Sequence, residues 1–247
     1  MSSEPYSELR LAPIRATISL LQHRIEERFP SSGLSRLAAE LLSVAEQNEA
    51  IIAQLRRPLP WVRAMTFLAI GALVVLVLWA VVQVVRITAG GVVTVADLLQ
   101  AIDAATSELI FLSIVVLFLA SLENRLKRRI ALRMLHRLRS IAHVVDMHQL
   151  TKDPSYVLQP VAATVSSPAR TLTREQLARY LDYCSELLAL TSKLAAVHAQ
   201  HLQDPVLLDA VNDIESLTAG LSRKVWQKIS ILNASHGSES AASAPPA

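Results

Sequence analysis

The sequence predicts an all-α membrane protein. Its parts are a two-helix transmembrane hairpin and a cytoplasmic helical bundle of about five amphipathic helices, with span two continuing as a long helix into the cytoplasm. Three observations predict it. Two uncharged apolar blocks, residues 64–85 and 109–122, interrupt a chain that is otherwise amphipathic. Basic residues crowd the outer flanks of the pair. The remainder is dominated by Ala, Leu, Arg, Glu and Gln, with 6 glycines and 4% aromatics, a mixture that favours helix over sheet.

The 247 residues are 52% apolar, more than an average soluble domain carries. The net charge is +3, and the basic residues that produce it sit beside the apolar blocks. Membrane topology explains that placement more economically than nucleic acid does. The single cysteine, Cys184, excludes an intrachain disulfide and a zinc site built on several cysteines. The first 60 residues hold no apolar signal-peptide core, so the first span is expected to serve as its own insertion signal.

The first block, AMTFLAIGALVVLVLWAVVQVV, has no charge over about 22 residues. As a helix it measures about 33 Å, enough for a hydrocarbon core of about 30 Å. Trp61 and Arg63 precede it and Arg86 follows, as interfacial anchors do. The second block, LIFLSIVVLFLASL, is short at about 21 Å. Backward extension remedies this. Thr94 to Asp97 fits a capping box, and Leu98, Leu99, Ile102 and Ala105 continue an apolar side, so one helix is expected from about Val95. Glu108 then lies near or just below the outer interface, with Asp103 at the surface.

The connection from Arg86 to about Glu108 has Gly90-Gly91 as its turn, one Arg and three acids. Arg56, Arg57 and Arg63 precede span one, and Arg125, Lys127, Arg128, Arg129, Arg133, Arg137 and Arg139 follow span two. The positive-inside rule places both flanks, and hence both termini, in the cytoplasm. The expected division is 1–60, N-terminal cytoplasmic helices; 61–86, span one; 87–107, outer loop and helix start; 108–123, span two; 124–233, C-terminal cytoplasmic helices; and 234–247, a disordered Ser/Ala/Pro-rich tail.

Within residues 1–60, Ile14, Ile18, Leu21 and Ile25 recur at helical spacing between Pro13 and Pro30. A second helix starts near Ser31 or Ser32, with a stripe through Leu34, Leu37, Leu41, Val44, Ala45, Ile52 and Leu55 that polar Asn48 interrupts. Beyond span two there is no Pro or Gly to Leu150, so a helix of about 55 residues, near 80 Å, is expected. Prolines mark residues 151–168 as a loop. Thr173 to Gln176 forms a capping box for a helix with the stripe Leu177, Leu181, Cys184, Leu188, Thr191, Leu194 and His198. Asp204-Pro205 opens the last helix, whose stripe runs from Leu208 to Ile229. These stripes must be buried, in one antiparallel bundle or between copies of the chain.

No phosphate-binding loop, nucleophile elbow, kinase set or His-Glu-x-x-His motif is present, which argues against an enzyme. His143, Asp146, His198 and His201 are weak metal candidates, each pair three residues apart on one helix face. No metal and no cofactor is expected. Cys184, on an apolar stripe, reads as buried and inert. Gln83, Asp103 and Glu108 are the intramembrane or interfacial polar groups, and a Glu108–Gln83 hydrogen bond would close the hairpin. Trp61, Arg63, Arg125, Lys127, Arg128 and Arg129 are the candidates for anionic lipid headgroups. The remoter arginines are expected to pair with Glu26, Glu27, Glu40 or Glu46. Without aromatic interleaving, nucleic acid is not an expected partner.

The expected function is a non-enzymatic, self-associating membrane scaffold or adaptor that offers a helical docking surface to a cytoplasmic protein. The alternative is a subunit of an oligomeric channel or transporter, with Glu108 or Asp103 at its entrance. A bacterial inner membrane is the expected location.

Overall fold

The computed structural model describes residues 8–56, 59–89, 95–158, 164–167, 171–201 and 204–242. Within them no side chain is described for 54–56, 84, 87–89, 97–98, 101, 104, 157–158, 201 and 235–242. The described chain is all helix and turn: α1 (Leu11–Arg28), α2 (Gly33–Arg56), α3 (Pro60–Ala89), α4 (Val95–Leu150), α5 (Ser155–Leu158), α6 (Arg174–His201) and α7 (Pro205–Ala242). Two of these helices are long and apolar enough to cross a membrane. The chain divides into two compact units, one of residues 1–55 with 130–247 and one of 56–129. The expected Gly90-Gly91 turn and the Thr94 cap lie outside the described residues.

The larger unit has a conventional apolar core. On α1, Ile14, Ile18, Leu21 and Ile25 are buried, one per turn. The helix ends where the Phe29 N–H donates to the Ile25 carbonyl at 2.8 Å and Pro30 forbids continuation. Ser31 takes a left-handed backbone (φ 58°) to reverse the chain, and the Ser32 hydroxyl caps α2 by accepting from the Ser35 N–H at 3.1 Å. Leu34, Leu41, Val44, Ala45, Asn48 and Ile52 are the buried side of α2.

At the start of α6, the Thr173 and Gln176 side chains each bond the other's backbone N–H, at 3.2 and 3.0 Å. The Asp204 carboxylate likewise accepts from the Val206 and Leu207 N–H groups at the start of α7. Helices α6 and α7 pack along their length as the most extensive pair in the unit. Phe29 fastens α1 to α6, edge-on to the rings of Tyr180 (5.4 Å) and Tyr183 (6.2 Å).

Helices α2 and α4 meet at Gly33. A Cβ there would fall on the His148 ring, with the two ring nitrogens at 3.0 Å, so only glycine lets the imidazole lie against the helix start. Burial, then the charges of Arg36 and Lys152, push His148 below its ordinary value of 6.5. Between the folded and unfolded values the unfolded chain binds the extra proton. His148 therefore contributes its full stability above about pH 6.5, and loses it as pH falls from there towards the folded value. Thermal melts of the wild type should fall in this window, and His148→Gln should flatten that part of the profile.

The smaller unit is built differently. Of the α3 side chains, Val62 and Ala69 are buried, whereas Phe67 is 72% and Leu68 76% exposed. On α4, Phe111 and Leu117 are each 69% exposed. The less exposed positions of α3 are Val62, Thr66, Ala69, Leu73, Leu76, Ala80 and Gln83, spaced alternately by four and three. Leu112, Val115, Leu119, Leu122 and Leu126 repeat the same rhythm on α4. Such spacing marks one less exposed face, or seam, along each helix.

One boundary needs correction. The segment from Ala234, expected to be a disordered tail, continues α7 as far as Ala242. Extending a formed helix costs far less than nucleating one, and the first proline to oppose it is Pro245. The remaining residues, 243–247, lie outside the description.

Candidate functional site

Polar chemistry in the smaller unit gathers at two places. The first is Glu123. Its carboxylate accepts from the Leu59 N–H at 3.4 Å and the Arg63 guanidinium at 3.3 Å, and pairs with Lys127 at 2.9 Å. Glu123 and Lys127 are each only 13% exposed. One carboxylate thus ties the start of α3 to α4. Lys127, one of the expected headgroup ligands, pairs with Glu123 one turn earlier on its own helix. Arg125 is exposed, with its guanidinium 6.0 Å from the centre of the Phe118 ring. Trp61 and Arg129 are also exposed.

The second place is Glu108. A groove of about 490 Å³ between α3 and α4 is lined by Ala72, Leu76, Ser107, Glu108, Phe111 and Leu112. With Arg63 beside Glu123 at one end of the seam and Leu76 beside Glu108 further along, the helices run antiparallel. Gln83 lies seven residues past Leu76, about 10 Å along the helix. The expected Glu108–Gln83 hydrogen bond is therefore not formed. Sequence distance from the loop suggested it, whereas the register set by Glu123 places Glu108 against Leu76. Asp103 is exposed one and a half turns before Glu108.

In the larger unit, a cleft of about 540 Å³ is lined by Arg24, Glu27, Arg28, Arg179 and Tyr183. Arg24 grips Glu186 with two bonds, at 3.0 and 3.2 Å, and lies 5.2 Å from the centre of the Tyr183 ring. The acids at hand largely neutralise these arginines. No local signal marks this cleft, since its two helices lie some 150 residues apart in the chain. A smaller cleft of about 350 Å³ holds Asp146, Asp153, Lys224 and Lys228. There the Lys228 ammonium donates to both the backbone and the side-chain oxygen of Gln149, each at 2.7 Å. Of the α4 arginines, Arg137 pairs with Glu40 at 2.9 Å as the sequence suggested, while Arg139 approaches Asp213 at 3.8 Å. Glu26 accepts from the Ser35 hydroxyl instead of an arginine.

Among the described residues the histidines form no metal-binding group. His143 is exposed and His198 is buried at 1% exposure in the α6 stripe, while the His201 side chain lies outside the described residues. No group of three or more His, Cys, Asp or Glu side chains among the described residues is placed to hold a metal. Cys184 is fully buried, and burial pushes its thiol up to about 12, well away from a reactive thiolate. No protein family, curated protein or solved structure matches this chain.

Proposed function

We propose that the chain is a non-enzymatic integral membrane scaffold of the bacterial inner membrane. It crosses the bilayer twice through α3 and the first half of α4, keeps both termini in the cytoplasm, and offers its helical bundle to a cytoplasmic protein or a second copy. The observation that carries this reading is the contrast between the two units. One packs most of its apolar stripes into a core, while the other leaves side chains such as Phe67, Leu68, Phe111 and Leu117 exposed along helices of membrane-spanning length. Water would penalise that surface heavily, and lipid would not. The basic flanks support the orientation, with Arg63, Arg125 and Arg129 at the inner headgroups.

The apolar lining beside Glu108 favours a scaffold over a water-filled pore. Tags at either terminus should resist protease added to spheroplasts and be cleaved only after the membrane is opened. The protein should also stay in the membrane through a carbonate wash. A tag cut from outside, or release by carbonate, rejects the reading. A detergent-corrected mass above one 27.0 kDa chain is expected, and a monomer would reject self-association.

A further inference from the structure

We infer that the groove beside Glu108 is a homodimer contact inside the bilayer, where two copies present the Ser107–Glu108 pair and Phe111 to each other across a twofold axis. The inference rests on the reading of α3 and α4 as membrane spans.

Depth is the first argument. The Glu123 cluster, with Arg63 and Lys127, marks the inner end of the hairpin. Glu108 is 15 residues further along α4, about 22 Å up the helix axis. In a hydrocarbon core of about 30 Å its carboxyl group lies below the outer boundary. A polar group at that depth has no water to bond and must find a protein partner.

The second argument is the state of the neighbouring polar groups. The Thr66, Thr106 and Ser121 hydroxyls each donate to a backbone carbonyl one turn back on their own helix. Glu108 makes no hydrogen bond or ion pair with any described residue, and Ser107 likewise makes none. An acceptor and a donor thus stand side by side at the lip of one groove.

The third argument selects the occupant. A twofold contact needs a patch that complements itself. This one carries a donor next to an acceptor, so each copy can supply what the other lacks. It also carries a knob, Phe111 at 69% exposure, beside a hole left by the small side chains of Ala72 and Ser107. Small residues that admit close approach, with a polar pair between them, are how helices associate in lipid. A partner of different sequence would have to bring both a donor for Glu108 and an acceptor for Ser107 to this depth.

The test uses the full chain in native membranes, with Cys184→Ser as background. Under mild oxidation, Ile114→Cys, on the exposed face one turn beyond Phe111, should form a disulfide-linked dimer, and Ala120→Cys, on the opposite face of α4 from Phe111, should not. Adding Glu108→Leu to Ile114→Cys, which leaves Ser107 in place, should lower the crosslinked fraction by about 3- to 15-fold. Glu108→Gln, which still donates and accepts, should retain it. Carbonate resistance of each variant confirms that it remains inserted. Equal crosslinking at the two positions, a Glu108→Leu variant that crosslinks like its parent, or a product joining this chain to one of another mass would each overturn the inference. A dimeric mass in detergent with no Ile114→Cys crosslink would do so as well, while leaving the scaffold reading intact through the bundle.

Discussion

Phe29→Ala is expected to destabilise the helical bundle by about 3–5 kcal/mol, the range for removing a buried phenylalanine from a core that only partly collapses. Phe29 is 8% exposed and is the residue through which the end of α1 meets α6, packing edge-on against both Tyr180 and Tyr183. The same turn carries the Arg24–Glu186 pair, but those side chains are 47% and 39% exposed, and an exposed ion pair contributes little. The aromatic contact therefore dominates the docking of α1. Cys184 supplies a local readout, because it is fully buried beside Tyr183. If thiol labelling proceeds through opening of the bundle, a loss of this size raises the labelling rate by about two to four orders of magnitude. Phe29→Leu, which keeps most of the volume, should raise it far less. Equal rates for Phe29→Ala and wild type would show that α1 does not depend on this contact.

The helix boundaries were legible wherever a local steric or capping rule sets them. Pro30 and Ser32 divide α1 from α2, Thr173 with Gln176 opens α6, and Asp204 with Pro205 opens α7. Each of these decisions is made within about four residues, so it can be read along the chain. What escaped depends on register between helices. Glu108 faces Leu76 rather than Gln83 because Glu123 holds Arg63, a contact across 60 positions. The cleft around Arg24 and Arg179, and the aromatic cluster on Phe29, join helices that no periodicity relates. The extension of α7 past Ala234 escaped for a different reason. Composition alone reported a weak helix former, whereas a helix already formed propagates into it.

Asn48→Leu is expected to stabilise the bundle by about 1–3 kcal/mol, the cost of burying an amide without partners. Asn48 was visible in the sequence as the polar interruption of the α2 stripe, and the structure makes the interruption a buried one. The residue has no exposure, and neither its Nδ2 nor its Oδ1 has a hydrogen-bond partner. Thr191 and Thr218, equally deep, each donate to a carbonyl of their own helix and carry no such cost. Asparagine and leucine differ mainly in polarity and branching, so leucine can fill the site between Val44, Ala45 and Ile52 with modest repacking. Asn48→Asp should act in the opposite direction, because an unpaired charge costs more to bury than an amide. Denaturant melts of the three forms in the same detergent therefore order as Leu, Asn, Asp from most to least stable. Should leucine lower the midpoint instead, the amide has a bonding partner in solution, and the α2 face on which it sits would have to open to reach it. A single polar residue in an apolar stripe often fixes which helices pair and in what register. On that reading, the stabilised leucine variant should also pair less selectively, giving a broader distribution of masses in detergent than the wild type.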